Sequence, residues 1–141
     1  MDHVVYLDAK AGELEKLVAG QKSMIVRGAA GRKLPYGRVH LADRLFFIQN
    51  NGEGLVGASG VVSGVINSEK LSEEQSRNLL ELHQPELCLT ADQTKRWAGK
   101  RFLVLIAVQD VCKLEPFPVD RSEYGNMDDW LPVGDIERVK R

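Results

Sequence analysis

The chain is poor in the residues and patterns that mark a dedicated chemistry. It holds two cysteines, three histidines and two tryptophans in 141 residues. Cys88 and Cys112 make no CxxC pair, so no zinc knuckle or dithiol centre is spelled out; they read as reduced thiols of a cytoplasmic protein. His3, His40 and His83 show no HExxH or HxxxH spacing, and Asp128 and Asp129 are adjacent, so their carboxylates diverge. No metal site is expected. There is no G-x-S-x-G elbow, no G-x-G-x-x-G fingerprint and no Walker A run, so no cofactor is expected either. No apolar run approaches the ~18 residues of a membrane span. Residues 1–8 lack the basic and long apolar parts of a signal peptide. Nor does one charge dominate: the formal net charge is −1.

What is present is a globular composition, 43% hydrophobic and 28% charged. That suits one α+β domain over residues 1–141 with a core of its own. Residues 3–7 read as a strand and 9–19 as a short amphipathic helix, with Leu14, Leu17 and Val18 on one side and Asp8 as cap. Gly20 suits the left-handed position that ends a helix. Residues 23–27 follow as a strand with Met24 and Val26 facing the core and Ile25 and Arg27 on the other face. Two further strands are expected at 44–49 and 55–67, joined by a turn at 50–54. Gly57, Gly60 and Gly64 in the second of these permit bends or bulges. Ser72 with Gln75 forms a capping box for a helix over 72–83, which Pro85 ends, and Thr90 caps another over 91–98. The continuous apolar run at 101–111 reads as a central strand. Residues 114–141, with Tyr124, Met127 and Trp130, read as an ordered irregular wrap with Trp130 docked on the rest of the domain.

The charge is unevenly distributed. Segment 20–44 carries Lys22, Arg27, Arg32, Lys33, Arg38 and Arg44 against Asp43 alone. Segment 90–113 carries Lys95, Arg96, Lys100, Arg101 and Lys113 against Asp92 and Asp110. A nearly neutral protein still presents a basic surface where two such segments meet. The 28–38 loop adds glycines, which let backbone approach a ligand closely, and Tyr36, a ring for base stacking among cations.

Gly20-Gln21-Lys22-Ser23-Met24-Ile25-Val26-Arg27 is the most informative stretch. With the helix before it and Leu41-Ala42-Asp43-Arg44-Leu45-Phe46-Phe47-Ile48 after it, it resembles the ASCH family of PUA-like domains. That family's signature is G-x-K-x-x-E-x-R; Gly20, Lys22 and Arg27 match, and the Glu position holds Ile25. The resemblance covers residues 10–115. It implies a small PUA-like β-barrel with short flanking helices and a cleft beside the motif. It also implies RNA or nucleotide binding, with nuclease or amidohydrolase activity in some members.

Three functions follow as expectations. The first is binding of single-stranded RNA or a nucleotide, with Lys22, Arg27, Arg32, Lys33 and Arg38 on phosphates and Tyr36 on a base. The second is an enzyme acting on RNA or a modified nucleoside, with Lys22 as base or nucleophile, its pKa lowered by Arg27 beside it. Ile25 at the Glu position argues against that chemistry. The third is a protein-interaction barrel, favoured if the two basic segments lie on opposite sides. No membrane partner is expected, and the sequence sets no oligomeric state.

Overall fold

The computed structural model describes residues 1–141. The strands are β1 (Asp2–Leu7), β2 (Met24–Ala29), β3 (Arg44–Gln49), β4 (Leu55–Asn67), β5 (Phe102–Pro118) and β6 (Trp130–Gly134). The helices are α1 (Glu13–Val18), α2 (Glu73–Leu82), α3 (Gln84–Leu87) and α4 (Ala91–Trp97). The strands form one mixed sheet in the order β2-β5-β4-β3-β1-β6. Only the β1–β3 pair is parallel. No helix is long and apolar enough to cross a membrane.

The sheet curls into a half-barrel, and β4 is where it bends. Its pairing with β5 slips between Val56 and Ala58, between Ser59 and Val61, and between Val62 and Gly64. Each slip raises the local twist. Gly60 sits at the middle one, where a Cβ would lie 2.5 Å from Val108 Cγ1. The curl brings Ile25, on the β2 edge, into the same buried cluster as Val5 and Leu7 of β1 and Trp130 of β6, near the opposite edge.

The outer face is also covered, at both ends of the sheet. Met24, Val26, Leu103 and Leu105 pack under Leu80, Leu87 and Trp97 of the helices. Val4, Phe46 and Ile48 pack with Leu131, Val133 and the final turn through Ile136 and Val139. The expected division of the motif strand into a core face and an open face is therefore corrected. Met24 and Val26 do face a core, but it is the one beneath the helices, while Ile25 and Arg27 point into the half-barrel.

Capping chemistry sets the helix ends. Ser72 and Thr90 each accept from the backbone N–H of the Gln three residues on, and each Gln returns the bond, as their sequences predict. Pro85 lies in the first turn of α3 rather than merely stopping α2. At α1 the expected start at residue 9 is corrected. The carboxylate of Asp8 accepts from Ala11 N–H, Glu13 Oε1 accepts from Asp8 N–H, and Gly12 takes φ 67° ahead of the helix. Asp8 thus shapes a turn before the helix instead of capping it. The C-terminal region is more regular than an irregular wrap, since β5 runs on to Pro118 and β6 pairs antiparallel with β1.

Candidate functional site

Arg27 sits where the two edges of the sheet approach. From β2 its Nη2 donates to Tyr6 O of β1 at 2.6 Å, and its Nη1 donates to Val26 O at 2.8 Å. Its guanidinium carbon lies 6.0 Å from the ring centre of Trp97 and 5.7 Å from that of Trp130. Guanidinium planes suit such aromatic seating. The side chain is only 9% exposed. Its Nε lies 3.3 Å from Asp129 Oδ2, yet out of hydrogen-bond alignment, and is left without a partner.

A cavity of about 230 Å³ opens on one side of Arg27. Three sequence-distant segments line it: β2 with the loop after it, α4 with the turn into β5, and residues 127–129. Lys33, Arg96 and Lys100 join Arg27 as its cations, and Asp129 is its one carboxylate. Tyr36, Trp97 and Phe102 supply the rings. Tyr36 is held in place by donating its hydroxyl to Ser68 O at 2.6 Å and by an edge contact with Phe102 at 5.8 Å. Arg32 lies over both rings, 5.7 Å and 5.6 Å from their centres. Arg96 lies 4.5 Å over Trp97.

A second cavity, about 410 Å³, adjoins the first and shares Arg27, Arg96, Trp97, Met127 and Asp129 as a common wall. Its charge is different. Arg27, Arg96 and Arg121 face Asp8, Glu13, Asp128 and Asp129 there. Its outer side is the 121–129 segment, which Arg121 ties together by donating to Gly125 O and, at 3.0 Å, to Asp128 O, while stacking 5.1 Å over Tyr6. Met127 at the tip is 94% exposed.

Lys22 lies in neither cavity. Its side chain is fully buried, its Nζ 3.3 Å from Glu13 Oε2 and donating to Leu87 O at 2.5 Å. It ties α1 and α3 to the entrance of β2. Its pKa is lowered, as the sequence suggests, but the cause differs. Burial is the largest effect, Glu13 opposes it, and Arg27 adds little. The expected Lys22, open to ligand and poised beside Arg27, is thus corrected to an enclosed ion pair. The reason is Glu13, whose carboxylate arrives from a preceding helix and is itself buried.

Of the other residues picked out by sequence, Arg27, Lys33 and Tyr36 meet at the first cavity, Arg32 sits over its rings, and Arg38 is exposed and lines neither cavity. Arg96 and Lys100 were visible only as members of a basic segment. Asp129 gave no usable signal, because it reaches Arg27 through the fold alone.

No family model matches this chain, and no curated protein does. Solved structures do. The ASCH protein of Zymomonas mobilis superposes with a TM-score of 0.70 at 14% identity, over 97% of this chain and 91% of that one. Its tyrosine-to-phenylalanine mutant gives 0.72 at 15% identity, over 97% and 93%. Its serine-to-alanine mutant gives 0.71 at 15%, over 97% and 91%. This chain therefore has an ASCH-like α+β fold.

Proposed function

We propose that this chain is an RNA- or nucleotide-binding domain that takes its ligand into the cavity beside Arg27. One observation carries the reading. Lys33, Arg96 and Lys100 come from segments far apart in sequence and meet around the buried Arg27 with a single carboxylate among them. Tyr36, Trp97 and Phe102 lie between those cations. Cations that track a backbone, with rings that take bases, are what single-stranded nucleic acid requires. In this reading Lys33, Arg96 and Lys100 contact phosphate, Arg27 anchors the floor, and Arg32 holds the rings. Arg38 adds charge on the approach, and Lys22 positions β2 without touching ligand. The meeting of the two basic segments around one cavity favours this reading over a protein-interaction barrel. The enclosure of Lys22 favours it over a reaction centred on that residue.

The test is titration of a short single-stranded RNA at several salt concentrations, for the native protein and for Arg96→Gln/Lys100→Gln. The native affinity is expected to fall with salt, and the slope of log affinity on log salt is expected to shrink by about 0.7 per lost phosphate contact in the variant. Lys70→Gln, an exposed cation outside both cavities, leaves the slope unchanged. Equal slopes for native protein and double variant contradict the reading.

A further inference from the structure

The floor of the first cavity holds an unusual arrangement of charge. Arg27 is nine-tenths buried, two of its nitrogens are spent on carbonyls of β1 and β2, and its Nε–H has no hydrogen-bond partner. A buried donor left unmade is costly, and such sites call for an explanation. The group nearest to it is the Asp129 carboxylate, close enough to pair by charge but misaligned. Asp129 is 45% exposed, so its side chain has room to swing towards solvent.

We infer that Asp129 is a resident counter-ion which the ligand's anion displaces, and that the displacing group is a terminal phosphate monoester of a nucleotide or RNA end rather than an internal phosphodiester. This rests on the binding function proposed above.

The argument is one of charge exchange. An internal phosphodiester carries one negative charge. Putting it where Asp129 now sits exchanges one monoanion for another and leaves the field of Arg27, Lys33, Arg96 and Lys100 no better neutralised. A monoester carries close to two negative charges at neutral pH and offers three unesterified oxygens. It interacts more strongly with each of those four cations, outweighing the loss of one carboxylate, and one oxygen can align with the idle Nε–H. Space agrees, since a cavity of about 230 Å³ accepts a terminal phosphate group with part of its sugar. Asp129 is then a resident competitor for the site. It does not bind the ligand; it sets the charge an incoming anion must carry.

The experiment compares one short RNA in three forms: both ends hydroxyl, 5′-phosphorylated, and 3′-phosphorylated. Binding is measured to the native protein, to Asp129→Asn and to Asp110→Asn. The last variant makes the same charge change at an exposed position outside both cavities. With native protein one phosphorylated form is expected to bind about tenfold tighter than the hydroxyl form. Which end does so distinguishes a 5′ from a 3′ terminus. In Asp129→Asn that phosphorylated form, which no longer has a carboxylate to displace, is expected to bind tighter still. In Asp110→Asn it does not. Equal binding of all three forms to the native protein overturns the inference while leaving the binding function standing. So does an affinity for the preferred phosphorylated form left unchanged in Asp129→Asn. Failure of every form to bind overturns both.

Discussion

At the residue scale, the molecule spends several polar side chains on enclosure rather than on ligand, and Lys22 is the clearest case. It is as deeply buried as any aliphatic of the core, and what makes that tolerable is the pairing of its Nζ with Glu13 and Leu87 O. Removing one partner of such a pair strands the other. Lys22→Met is therefore expected to cost about 3–5 kcal/mol in urea unfolding, and Lys22→Met/Glu13→Gln to recover part of that loss. An effect below 1 kcal/mol (roughly, the scale of an exposed pair) speaks against the enclosed arrangement.

His3 makes a second such prediction. Its Nδ1 accepts from Trp130 Nε1 at 3.1 Å, so that nitrogen carries no proton, and its Nε2 donates to Asp43 Oδ2 at 2.8 Å. Burial lowers its pKa below the ordinary histidine value, with Asp43 opposing. Asp43 is itself held low, since hydrogen bonds from His3 and His40 N–H outweigh the opposite effect of burial. The signs agree. The unfolded chain takes up a proton on His3 near pH 6.5, as the free side chain does, and the folded chain only at lower pH. Below about 6.5 the unfolded state therefore binds more protons, and stability falls as pH is lowered. At pH below the usual carboxylate range, loss of the Asp43 contribution deepens the fall. Thermal unfolding from pH 7.5 to about 2.5 checks this, and Trp130→Phe, which removes the donor facing Nδ1, is expected to flatten the histidine part of the curve.

At the scale of elements, the bent strand β4 and the basic elements around Arg27 carry different burdens. β4 turns the sheet, and Gly60 lets it do so against Val108. Gly60→Ala is expected to destabilise by about 1–3 kcal/mol, because a Cβ there overlaps a packed side chain. Unfolding equilibria within a few tenths of native show that the strand relaxes instead.

Element by element, legibility follows the kind of signal. The strands at Arg44–Gln49 and Leu55–Asn67 stand out because apolar residues and turn-forming runs bound them, and their observed limits coincide with those read from sequence. The two capping boxes are local chemistry and translate directly. The faces of β2 are not legible, because this strand is covered on both sides and alternation no longer separates core from solvent. The partner of Lys22 is hidden for a related reason. Glu13 sits on the solvent-looking side of a short helical pattern, and only the packing of α1 against the start of β2 buries it. The strand β6 is masked by Pro132, although only β1 pairs with it and its other side is a sheet edge, where proline is tolerated.

At the scale of the whole molecule, the half-barrel does for its charges what the sequence order does not. Near-neutral overall, it gathers Lys33, Arg96 and Lys100 about Arg27, while the acidic residues of the 121–129 segment gather beside Arg121 at the adjoining cavity. Arg27 joins the edges of the curled sheet and is the floor of the site at once. In the proposed binding function, folding and binding are coupled through a single guanidinium. Arg27→Lys keeps the charge but loses the planar fork that bonds Tyr6 O and Val26 O. It is expected to reduce stability and RNA affinity together, whereas Lys100→Gln reduces affinity alone. Parallel unfolding and binding titrations on the two variants separate these outcomes.

The most direct test of the central claim is an amide-correlation NMR titration of the labelled protein with short single-stranded RNA at low and physiological salt. The account predicts salt-sensitive shifts grouped at Arg27 to Tyr36 and at Arg96 to Phe102, with Asp129 among them. Shifts absent at low salt, or confined to the surface of α2, contradict it.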